Sequence, residues 1–297
     1  MQRRPKNPAA SEMPEVSKVN DIQISEPRTP RPVQTPGPVQ RQRPEIKPVD
    51  TDAIKDDAEV VVYKSKAPAP GYWSKRINEP VMFAGAIICS ILFLILTVLV
   101  RIVDVKAIGP EGTSVGFATI NQAVHELVGF NDFIYEITQL LGYFAILVAA
   151  AFALVGLIQL IKRKKLFAVD MEILLLGCLF IVIIGFYVFF MFVVINYRPV
   201  IVPGETEVEA SFPSSHTMLL YTVMGAVFVL AGKYIRNSAL RKIVRIVCVV
   251  LIVVMVVGRL VCGVHWFTDI IGGILLSAAM LMLYMGMLAT FSKNGSN

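Results

Sequence analysis

Apolar residues in this chain come in runs rather than in alternation. Six stretches of about 20 residues, at 81–100, 137–161, 173–195, 217–235, 243–257 and 269–290, are almost free of charge. A helix of that length crosses the hydrocarbon layer of a bilayer. A soluble core has no use for six of them. The pattern predicts an all-α, polytopic membrane protein: a six-transmembrane-helix bundle over residues 79–292.

Residues 1–78 are different material. They hold 12 of the 17 prolines, mix both signs of charge and show no helical or strand period. Such a segment cannot bury enough apolar surface to offset its ordering entropy, which predicts a disordered N-terminal tail. It is too long and polar for a signal peptide, so the first apolar run is expected to remain as a span. The longest loop, 101–136, contains an amphipathic stretch at 115–130, suited to lie on the membrane or to lid the bundle. His125 falls within it and reads as a surface or packing histidine rather than a catalytic one.

Charge sets the orientation. The net charge of +6 does not indicate nucleic acid, because the basic residues outside the tail sit beside the spans. Lys162–Lys165 follow the second span, and Lys233, Arg236, Arg241, Lys242 and Arg245 flank the fourth and fifth. Basic loops stay in the cytoplasm. Both termini then lie inside, in a multi-pass protein of the cell membrane, and the loops after the first, third and fifth spans face outward. The cysteines, Cys89, Cys178, Cys248 and Cys262, lack metal or disulfide spacing and read as packing residues.

Three polar clusters fall on the outward side: Asn196-Tyr197-Arg198-Pro199, Pro213-Ser214-Ser215-His216, and Gly258-Arg259 followed by His265 and Asp269. Ionisable groups at span ends are costly and mark a functional site. Asp269 lies four residues after His265, a spacing that shares one face if the helix begins before His265. A carboxylate there fixes the imidazole tautomer and leaves the other nitrogen free to attack. Arg198 and Arg259 offer forked donors that match phosphate oxygens. Ser214 and Ser215 stand at a helix start, where free N–H groups favour an anion. His216 is placed to protonate a departing oxygen. The chemistry is phosphoryl transfer through a phosphohistidine on His265, requiring neither metal nor cofactor.

These clusters resemble the three motifs of the type-2 phosphatidic acid phosphatase family, K-x6-R-P, P-S-G-H and S-R-x5-H-x3-D. Here they read Met191…Arg198-Pro199, Pro213-Ser214-Ser215-His216 and Gly258-Arg259…His265…Asp269. The resemblance covers about residues 80–292, and the 101–136 loop is similar to that of members from Gram-positive bacteria. It implies a lipid phosphate as substrate, membrane lipids as surroundings, His265 as nucleophile, Asp269 as its partner and His216 as acid. It implies Arg198, Ser214, Ser215 and Arg259 as phosphate ligands. The chain departs from the pattern at Met191, which replaces lysine, at Ser215, which replaces glycine, and at Gly258, which replaces serine. The missing lysine points to one alternative, a weakened member that holds phospholipid head groups; a second is a lipid phosphotransferase, in which an alcohol replaces water on the phosphohistidine.

Overall fold

The computed structural model describes residues 71–202 and 204–294. Residues 1–70 of the predicted tail lie outside the described residues. Seven α-helices follow: α1 Glu79–Ile102, α2 Ala118–Val128, α3 Asp132–Arg163, α4 Met171–Phe192, α5 Ser215–Tyr234, α6 Ser238–Val261 and α7 Phe267–Asn294. All but α2 are long and apolar enough to cross a membrane. No strand occurs among the described residues. The fold is the six-span helical bundle that the apolar runs predict.

Three spans begin on an asparagine. Asn78 Oδ1 accepts from Val81 N, Asn131 Oδ1 from Ile134 N, and Asn237 Oδ1 from Ala239 N and Leu240 N. Each cap satisfies donors that a helix start otherwise leaves unpaired. The caps also lengthen two spans beyond their apolar runs. The second begins at Asp132 rather than 137, and the fifth at Ser238 rather than 243. Both extra turns carry charged residues, which hide them from a hydropathy reading. The extension of α3 brings Tyr135, Thr138 and Gln139 towards the polar clusters.

α5 is the most enclosed span, packed by α3, α6 and α7, while α1 lies along α7. α2 docks through Asn121, which is fully buried. Its Nδ2 donates to the Gly116 carbonyl at 2.8 Å and to Thr268 Oγ1 at 3.0 Å, and its Oδ1 accepts from Thr268 N. The amphipathic stretch is therefore pinned across the start of α7. Asp104 holds its first turn by accepting from Thr119 N, and that bond draws the Asp104 carboxyl down to about 2.

At the other end of the bundle, residues 71–78 pack against the helices. The Trp73 ring is buried and its Nε1 donates to Glu172 Oε1 at 3.1 Å. Glu172 also pairs with Lys233, and both side chains are nearly inaccessible. Removing one partner of such a pair leaves a buried, uncompensated charge. Glu172→Ala is expected to cost about 3–5 kcal/mol, read as a lowered thermal midpoint in detergent. The Glu172→Met/Lys233→Met double variant should recover much of the loss.

Candidate active site

The three clusters meet where α5 and α7 begin and α6 ends. Arg259, on the last turn of α6, is wholly buried and forms the hub. Its Nη2 lies 3.2 Å from His265 Nε2, and its Nη1 donates to Thr138 Oγ1 at 3.1 Å. Gln139 Oε1 lies 3.5 Å from the same nitrogen. A guanidinium has no lone pair to offer, so His265 Nε2 must be the acceptor and Nδ1 carries the imidazole proton.

His265 does not share a helical face with Asp269. α7 begins at Phe267, and His265 sits in the turn before it, after Gly263 bends the chain at φ +72°. Asp269 Oδ2 instead accepts from Trp266 N at 2.9 Å, capping α7, and stands 3.7 Å from His265 Nδ1. That separation exceeds a hydrogen bond, so the pair interacts through its charge rather than a shared proton. The His265 side chain is almost fully buried. Burial, then the nearby Arg259 and Arg198 guanidinium groups and the His216 ring, hold its imidazole well below the ordinary value. The ring is neutral at neutral pH.

Arg198 enters from the segment after α4. Its Nε lies 3.0 Å from Glu209 Oε2, and its amide donates to the Glu209 carbonyl. Ser214 caps the approach to α5, but its amide is already taken by the Asp269 carbonyl at 3.0 Å. The expected contribution of a free Ser214 N–H is thus corrected: its hydroxyl is the group left over, and free amides begin at Ser215. His216 follows on the first turn of α5 and rests against Gly142 of α3. A Cβ on Gly142 would stand 2.6 Å from His216 Cδ2, so the close approach requires glycine there.

Polar atoms without a partner gather in this region. Arg198 Nη1, Arg259 Nε, Ser214 Oγ, His216 Nδ1, Thr217 Oγ1 and Asp269 Oδ1 are all buried and make no hydrogen bond among the described residues. Buried polar atoms are ordinarily paired, and a concentration of orphans at one spot is the signature of a ligand site. Most of them are donors, flanked by two guanidinium groups, a set that suits an anion with several oxygens.

Two departures from the family pattern have structural counterparts. A Cβ on Gly258 would lie 2.7 Å from Thr138 Cγ2, so Thr138 occupies the place a serine side chain would need. Its own hydroxyl accepts from Arg259. Met191 is 55% exposed near the end of α4, outside the packed core. Thr138, Gln139 and Gly142 escaped the sequence reading. Two uncharged polar residues and a glycine within one helical turn of an otherwise apolar span were the available signal. His125 packs edge-on against Trp266 with ring centroids 5.5 Å apart, as a packing residue does, and Trp266 Nε1 donates to the Tyr197 carbonyl.

Residues 192–293 match the model of the PAP2 superfamily, a segment that contains every predicted site residue from Arg198 to Asp269. No curated protein matches the chain. Among solved structures, it is similar to the crystal structure of the first transmembrane PAP2-type phosphatidylglycerolphosphate phosphatase from Bacillus subtilis. The identity is 20% and the TM-score 0.47, over 69% of this chain and 96% of that one.

Proposed function

We propose, from the PAP2-superfamily domain that occupies residues 192–293, that this membrane protein is a lipid-phosphate phosphatase acting on a phosphomonoester or diphosphate. The observation that carries the reading is the Arg259–His265 contact within a nest of unpartnered donors. It supports a neutral imidazole whose Nε2 lone pair is directed into an anion-binding pocket.

The reaction follows from that geometry. An arriving phosphate draws the Arg259 guanidinium onto its oxygens and frees His265 Nε2, which attacks phosphorus. The P–O bond to the lipid breaks, and His216 protonates the departing oxygen. Arg198, Arg259, the Ser214 hydroxyl and the amides from Ser215 onward stabilise the negative charge spread over the transferring group. Water, deprotonated by His216, then attacks the phosphohistidine and releases phosphate. Asp269 stabilises the charge that develops on the His265 ring, acting across 3.7 Å. Two permanently charged guanidinium groups supply the counter-charge that a metal supplies elsewhere, so the reaction proceeds without one.

The distribution of lysine and arginine supports an outward-facing pocket. Lys162–Lys165 and the run from Lys233 to Arg245 lie at the opposite ends of the spans from His265. The test is phosphate release from phosphatidic acid, phosphatidylglycerol phosphate and a polyprenyl diphosphate by detergent-purified protein. Turnover of at least one, unchanged by a metal chelator, is the expected result. Binding of all three without phosphate release would instead identify a head-group-binding protein, and transfer to an added alcohol a phosphotransferase.

A further inference from the structure

A second basic site lies at the far end of the bundle, where α5 ends and α6 begins. A groove of 480 Å³ there is lined by the basic Arg241, Lys242 and Arg245 and by the apolar Phe228, Ile246 and Val249. An adjoining 360 Å³ cleft shares Phe228, Arg241 and Arg245 and adds Arg76 and Trp73. The guanidinium groups are held in place. Arg241 Nη1 donates to the Ile235 carbonyl, Arg245 Nε to that of Phe228, and Arg76 Nη1 to that of Tyr72. Arg245 also lies over the Phe228 ring and Arg76 over the Tyr72 ring.

None of these three arginines, nor Lys242, forms an ion pair among the described residues. The acids at this end, Glu79, Asp170 and Glu172, are paired with Lys293, Arg163 and Lys233. A purely solvated basic face would not continue into Val249 and Val250, which stand about 12–14 Å deeper along α6 than Arg241. The groove is cationic at head-group level and apolar where acyl chains begin.

We infer that this groove binds an anionic glycerophospholipid of the leaflet opposite the His265 pocket, its phosphate on Arg241 and Arg245 and its chain along Phe228 and Val249. Charge complementarity and the graded lining select this occupant over a soluble anion, which would leave the apolar wall uncovered. The site is independent of the proposed catalysis.

The chain has two tryptophans, Trp73 at this cleft and Trp266 beside the other pocket, which allows a direct test. Full-length Trp266→Phe protein in phosphatidylcholine micelles leaves Trp73 as the single indole emitter. Brominated phosphatidylglycerol is expected to quench it at a lower mole fraction than brominated phosphatidylcholine, by about fivefold per cation engaged. Adding Arg241→Gln/Arg245→Gln should abolish the preference, whereas Arg198→Gln, at the opposite end, should leave it intact. If the double variant does not fold, Arg241→Gln alone should lower the preference by one such step. Equal quenching by both lipids, a preference that survives these substitutions, or its loss in Arg198→Gln would overturn the inference.

Discussion

Replacing His265 with alanine is expected to lower phosphate release by at least about 10⁴-fold, because it removes the attacking atom itself. The side chain is nearly enclosed, so a general loss of structure has to be separated from a loss of chemistry. His265→Asn keeps a polar side chain facing Arg259 Nη2 but has no imidazole nitrogen to attack phosphorus. Both variants should therefore be inactive while retaining a helical spectrum and a monodisperse elution profile. A protein that binds head groups without turnover would be affected in affinity alone. The measurement is single-turnover phosphate release with lipid in excess of its dissociation constant, which separates the chemical step from binding.

The second large effect is expected at Arg259. Its two terminal nitrogens do different things, one reaching His265 Nε2 and the other Thr138 Oγ1 and Gln139 Oε1. Lysine has a single nitrogen and cannot hold both directions. Arg259→Lys should retain the buried positive charge and the fold, yet lower kcat by about 10²–10³, the usual cost of losing a donor to a transition-state oxyanion. KM should move much less. Thr138→Val, which removes the hydroxyl and keeps the volume, should reproduce part of the kcat loss by letting the guanidinium swing. A larger change in KM than in kcat for Arg259→Lys would mean that the arginine only holds substrate.

The spans were legible because hydrocarbon leaves little choice: a run such as 81–100 has no other stable environment. The polar clusters were legible for the complementary reason, since Arg259 and Asp269 would be expensive at the end of an apolar span without a task. What escaped notice depended on the turns. The four-residue spacing of His265 and Asp269 suggested one helical face, but Gly263 and the Trp266 N-cap start α7 after His265. The Ser214 amide looked free because its partner, the Asp269 carbonyl, is 55 residues away in sequence. Thr138 and Gln139 looked like ordinary span residues, since a charged first turn concealed that α3 begins at Asp132. Met191 suggested a charge missing from the cradle, and the structure places that side chain largely in the open.

The central claim is that phosphate passes through His265, and its most direct test is to look for the phosphorylated ring. Protein mixed for milliseconds with lipid carrying a radiolabelled terminal phosphate, then quenched in alkali, should retain label that is stable to base and released by acid. Peptide mapping should place it on the segment containing His265, with none on His265→Asn protein. Phosphate release at an undiminished rate with no such label, or label that persists in the variant, would contradict the account.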